Sequence, residues 1–328
     1  MRYAKMALLA LAGPLLMGYQ GPTRVIQPIS SGIWYPAERE ELRTTVQGYL
    51  DGAEAVAPGR RCAAVIIPHA PYATAGAIAA AAVKQLEPGQ YDRVIVLGAA
   101  LHSSFRGCSI PSVQAYRTPL GDVPIEGVTV RELSRVPLFD IRSVHYTPKR
   151  GRAQVHEIER TIEVVLPYLQ VRLGSFHLIP LLVGDFVDFH GRPDENAYAV
   201  VVRALKDLMD DRTLIVVSSC FTHFGNNFSY RPFRENIVEG IERLDRTAFD
   251  LILKRDYPMY RAYLDQTRNT IDGKDAIAIL LKLLPRFLEG ELLSYEMSAR
   301  MTGNTKSSIS YAAIAFFEPA RPGAQQGE

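Results

Sequence analysis

Three imidazoles and a thiol stand just beyond apolar runs in this chain. His69 follows the run from Cys62 to Pro68, in Pro68-His69-Ala70-Pro71-Tyr72. His102 comes shortly after Arg93 to Gly98. Cys220 and His223 follow Thr213 to Ser219, in Ser218-Ser219-Cys220-Phe221-Thr222-His223. Imidazole and thiolate are good ligands for iron, copper or zinc, and a site assembled from several loops need not show a compact spacing. The same groups could act as general base and nucleophile, Cys220 with one of the histidines. A single His or Cys in such a place more often packs or hydrogen-bonds within a core than it binds a ligand. The argument for chemistry is that three separate runs deliver these groups to one rim. His145, His156, His177 and His190 lie away from that pattern and receive no role.

The runs themselves read as strands. CAAVIIP, RVIVLG, HLIPLLVG (His177 to Gly184) and TLIVVSS carry almost no charge, as expected of strands covered on both faces. Between them lie helical patterns: the Ala-rich Thr74 to Leu86, Val155 to Tyr168 with apolar Ile158, Ile162, Val165 and Leu166, and Glu195 to Met209. Glu235 to Lys254 and Lys274 to Leu288 read as long helices, and Ser307 to Phe317 as a last strand. The alternation predicts an α/β domain with a central, mainly parallel or mixed sheet between two helical layers. In such sheets ligands bind beyond the carboxyl ends of the strands, where His69, His102, Cys220 and His223 stand.

Composition excludes several classes. The 328 residues are 47% hydrophobic and 22% charged, which suits one large globular domain, and the net charge of +2 without any run of basic residues argues against nucleic acid. The three cysteines are too few and too widely spaced for a disulfide framework or a CxxC zinc pair. Arg2 and Lys5 precede an apolar stretch from Met6 to Met17, the layout of a secretory signal peptide and too short for a stable membrane span. Residues 1–22 are therefore expected to be a signal peptide or an N-terminal extension, with export to an extracytoplasmic space. The alternative is a mis-assigned start and a cytoplasmic protein. Residues 23–318 form the α/β domain, and 319–328 a disordered tail.

Short matches run in order along most of the chain: Ile33-Trp34-Tyr35-Pro36, Pro68-His69-Ala70 with Tyr72, Val96-Leu97-Gly98 and Tyr116 to Asp122. They continue through Glu159, Ile162-Glu163, Leu166-Pro167-Tyr168, Ile179-Pro180, Leu182-Val183-Gly184, Val217-Ser218-Ser219 with His223, Asn269-Thr270-Ile271, Gly273 and SISYAA from Ser308. Through these the chain resembles the Memo family, also called AmmeMemoRadiSam system protein B, whose fold is similar to the extradiol-type class III non-haem iron dioxygenases. The family pocket combines a His after Pro, a His in Gly-x-x-His-His, an Asp and a His after Ser-Ser, and a Cys after Thr-Ile.

His69 and His223 match that pattern. At the second position the chain reads Gly98-Ala99-Ala100-Leu101-His102, so Leu101 replaces the usual ligand and His102 is its neighbour. Cys220 stands at the Asp position and Asp272 at the Cys position, an exchange that keeps one thiolate and one carboxylate if the two face each other. Arg160 and Val165 stand where the family tends to place histidines. The resemblance thus implies an altered metal site of His69, His223, Cys220, Asp272 and His102, holding iron or copper, in a non-haem oxidoreductase. The alternative is a non-catalytic metal- or peptide-binding module, metal-free if Leu101 has removed an essential ligand, with Trp34, Tyr35 and Tyr72 lining a groove. A metal-free hydrolase with Cys220 as nucleophile comes third. The resemblance also implies a small-molecule or peptide ligand and a radical-enzyme partner.

Overall fold

Every residue of the strands Cys62–Ile67 and Thr213–Ser218 is buried, and so is every residue after the first in Arg93–Ala99 and His177–Val183. Such strands need cover on both faces. In this computed structural model, which describes residues 24–146 and 151–320, the four strands pair in parallel. Ser218 is level with Ile67 on one side and Gly98 on the other, so the carboxyl ends of the strands are flush. Antiparallel strands extend the sheet on both sides. Ser307–Phe317 pairs with Cys62–Ile67 and carries Glu289–Met297 and the short His223–Gly225. At the other side Cys108–Ser109 pairs with His177–Val183, followed by Phe139–Asp140. The result among the described residues is a nine-stranded mixed sheet, as expected for the α/β class.

Two helical groups flank it. Tyr72–Val83 packs on Cys62–Ile67 and Ser307–Phe317, with Arg39–Asp51 and Leu166–Leu173 against it. Lys274–Leu283 packs on Thr213–Ser218 and Arg93–Ala99, supported by Glu195–Lys206 and Tyr257–Thr267, and Ile237–Leu253 packs on the last of these. In Ile237–Leu253 the buried Ile241, Asp245, Ala248, Phe249 and Ile252 recur at helical spacing, the stripe that holds the helix to the sheet. A smaller three-stranded sheet joins Val25–Ile26, Ala115–Thr118 and Gly121–Pro124.

The expected helix over Val155 to Tyr168 is not one element. The chain makes single 3₁₀ turns at Val155–Glu157 and Glu163–Val165, with irregular backbone between, and becomes α-helical only at Leu166–Leu173. Two of its three glutamates do not face solvent. Glu163 is buried and accepts the Ile29 and Ser30 N–H groups and the Tyr35 hydroxyl, while buried Glu159 accepts the His102 N–H. Interior carboxylates collecting stray backbone donors thus imitated the polar face of a surface helix. Lys274–Leu283 also ends earlier than its apolar pattern, because Leu284 precedes Pro285 and is pushed to extended backbone. The helix Tyr257–Thr267 and the strand Glu289–Met297 were not anticipated.

The expected leader, residues 1–22, lies outside the described residues, as does most of the expected tail. Among the described residues no helix is long and apolar enough to cross a membrane.

Candidate metal centre

His69 sits two residues beyond the Cys62–Ile67 strand, and Cys220 two beyond Thr213–Ser218. Because those strands are adjacent and flush, the two side chains meet above the sheet. The third group, Asp272, comes from the loop between Tyr257–Thr267 and Lys274–Leu283. One ligand atom from each of His69, Cys220 and Asp272 lies within 4.8 Å of the others. His223 completes the arrangement, its Nε2 lying 3.7 Å from Asp272 Oδ2. Cys220 and Asp272 are neighbours in the cluster, and the backbone N–H of Cys220 donates to Asp272 Oδ1 at 2.9 Å.

Hydrogen bonding fixes the tautomers. Ser218 has one hydroxyl proton, which it donates to the Thr161 carbonyl at 2.5 Å. Its oxygen, 3.0 Å from His69 Nδ1, can then only accept, so Nδ1 carries the hydrogen. The His223 Nδ1 faces two carbonyls, Phe221 O at 2.8 Å and Thr270 O at 3.1 Å, and must likewise be the donor. In both neutral rings Nε2 is left as a bare lone pair. One carboxylate oxygen, Asp272 Oδ2, lies 2.9 Å from His69 Nε2 and 3.7 Å from His223 Nε2. Two acceptors 2.9 Å apart require a positive particle between them, a proton or a metal ion. Imidazoles whose Nδ1–H groups are held by an acceptor are the usual preparation of metal ligands. With one thiol, one carboxylate and two such imidazoles, the donor set fits a transition metal.

In the metal-free chain the electrostatics favour the proton. Burial works against a charge on His69, but the Asp272 carboxylate and Cys220 more than offset it and hold the imidazole well above its ordinary pKa. Burial would raise Asp272, yet His69 and His223 bring it below the usual carboxylate range. The Cys220 thiol is raised by burial, only partly offset by His69, which does not suit an unaided nucleophile.

Two glycines make room for this. A Cβ on Gly273 would come within 2.5 Å of the Ser219 side chain, whose oxygen accepts the Gly273 N–H at 3.1 Å and stands 3.2 Å from Asp272 Oδ1. A Cβ on Gly98 would meet Thr161 Oγ1 at 2.6 Å, and Thr161 is the residue that anchors Ser218.

The other expected residues are placed differently. His102 is exposed on the lip of a cavity of about 700 Å³ that Asp272 and Leu101 also line, outside the cluster formed by His69, Cys220 and Asp272. Leu101, at the position of the missing imidazole, is 41% exposed. Tyr35 and Tyr72 are core residues bonded to Glu163 and the Val164 carbonyl, and only Trp34 stays partly accessible, under the Arg160 guanidinium. The contributions of Ser218, Thr161 and Gly273 had no signal in spacing or composition. A Ser, Thr or Gly beside a His is too common to mark a site.

A family model described as Memo-like protein matches residues 27–315. The proteins named Protein MEMO1 from Homo sapiens and Danio rerio are each 31% identical over 296 residues, spanning 86% of this chain and 94% of theirs. Protein memo-1 homolog from Caenorhabditis elegans is 30% identical over 300 residues, 88% of this chain and 81% of its own.

Proposed function

The chain belongs to the Memo-like protein family, and from that premise we propose that His69, His223, Asp272 and Cys220 hold iron or copper in a non-haem oxidoreductase. The observation that carries this reading is that two imidazoles, each fixed by a donor bond from Nδ1, place Nε2 at 2.9 and 3.7 Å from Asp272 Oδ2. In their roles, His69 and His223 present neutral nitrogen, Asp272 supplies a carboxylate steadied by the Cys220 N–H, and Cys220 adds sulfur. That approaches the set of two histidines and one carboxylate which leaves positions open for substrate. Iron or copper would supply the redox centre itself. Leu101 adds no donor, so the side of the site facing the cavity stays open to a small molecule.

A second reading rests on the 2.9 Å contact between His69 and Asp272. A proton there gives an imidazolium–carboxylate pair with no metal, and a binding module without turnover. Elemental analysis separates the two, on protein expressed with iron, copper and zinc and on the variant His69→Ala/His223→Ala. Near-stoichiometric metal, lost in the double variant, is the expected result. Wild-type protein free of metal under every loading condition would favour the binding module. Where metal is found, oxygen consumption with a reducing or phenolic substrate tests for turnover.

A further inference from the structure

The cavity that Asp272 shares with the candidate cluster has apolar groups in its lining: Ala99, Ala100, Leu101, Val183 and Ile271. Two cations, Arg268 and Lys274, line it as well. Neither side chain forms a hydrogen bond or ion pair with any described residue. That sets them apart from arginines elsewhere in the fold, such as Arg106 on Asp194, Arg117 on Asp122 and Arg142 on Asp140. The carboxylates of the same cavity form no ion pair with them. Asp272 is committed to His69 and the Cys220 N–H, Asp275 is buried against Tyr198 and Arg261, and Asp185 accepts the Ser104 hydroxyl. Lys274 feels the field of Asp275 but makes no bond to it. Arg268 is held at the lip in left-handed backbone, φ +54°, where it closes the helix Tyr257–Thr267. Lys274 opens the next helix, so the two cations flank the loop that carries Asp272.

We infer that this cavity takes a small amphipathic acid, its apolar body against Leu101, Val183 and Ile271 and its carboxylate or phosphate held between Arg268 and Lys274. The inference rests on the metal-site reading in one respect, that the molecule held there is the substrate of that site. Two cations without partners of their own select for an anion because charge-assisted hydrogen bonds are stronger than neutral ones, and more so in a recess partly closed to water.

The test uses the full chain stripped of metal by a chelator, so that the cations are probed apart from any metal. Benzoate, phenyl phosphate and the neutral benzamide are titrated by calorimetry or ligand-observed NMR. The expected result is saturable binding of benzoate or phenyl phosphate, at least about tenfold tighter than benzamide, weakened by salt. The stronger of the two anions identifies the head group. Arg268→Gln/Lys274→Gln, a double variant of exposed side chains, is expected to lose about tenfold or more of that affinity with an unchanged circular dichroism spectrum. His69→Ala, which strikes the metal cluster, is expected to retain it. Binding of benzamide equal to that of the anions, no binding of either anion, or undiminished affinity in the double variant overturns the inference. Metal content, measured separately, bears on the metal site alone.

Discussion

Whether His69 and Asp272 enclose a proton or a metal is decided partly by Ser218. Its hydroxyl, spent on the Thr161 carbonyl, keeps the His69 hydrogen on Nδ1 and the lone pair on the side of Asp272. In Ser218→Ala that constraint is gone, and the Thr161 carbonyl loses its donor in the core. Metal affinity is expected to fall about 10–100-fold, the usual effect of removing an outer partner of a ligating imidazole. Stability should fall by roughly 1–3 kcal/mol for the unpaired carbonyl. Competition titration against a metal chelator and urea unfolding measure the two losses. Unchanged affinity with lowered stability would reduce Ser218 to a packing role. At this scale the chemistry-bearing side chains were readable in the sequence because His69, Cys220 and His223 each follow an apolar strand. Asp272 was not visible in that way, because its loop adjoins no strand, and it came only from the family resemblance.

Elements bring these side chains together, and the join between Lys274–Leu283 and the sheet is a tight constraint. Gly273, just before the helix, touches Ser219 so closely that a methyl group has no space. Gly273→Ala must therefore push the helix start or the Ser219 backbone away, at a cost of about 1–3 kcal/mol for a forced overpacking, and it displaces Asp272 with it. We expect the bound-metal fraction of purified Gly273→Ala to drop more steeply than its stability, measured by elemental analysis beside urea unfolding. Full metal occupancy would mean that Asp272 is placed by some other contact. The strands of the parallel core were legible because burial on both faces leaves them no room for charge. The segment from Val155 to Leu166 was not, because periodicity cannot distinguish a glutamate in water from one bonded inside. Glu159 and Glu163 are of the second kind, and each serves a partner far away in sequence.

Across the whole molecule, the small three-stranded sheet is tied to the large one by His156. Its Nε2–H donates to the Ser109 carbonyl at 2.9 Å, and its Nδ1 faces the Tyr116 hydroxyl at 2.5 Å. Ser109 lies on the last strand but one of the main sheet and Tyr116 in the small sheet. The ring is fully satisfied when neutral. Burial, only partly offset by the bond to Ser109, lowers its pKa from 6.5 to about 3. The unfolded chain therefore takes up a proton between pH 6.5 and 3 while the folded chain does not. Stability present above pH 6.5 is lost as the pH falls through that window, on the order of 3 kcal/mol by pH 4. Acid-titrating carboxylates add their own slopes, so the informative comparison is with His156→Gln, which retains a donor but no titration. Urea unfolding at pH 7, 5.5 and 4 is expected to show wild-type stability falling more steeply than that of the variant, with the difference opening below pH 6.5. Parallel slopes would mean that His156 binds its proton within the folded chain. The two sheets would then be joined by a contact that tolerates the charge, and the Tyr116 oxygen, accepting rather than donating, would be the group that makes it tolerable.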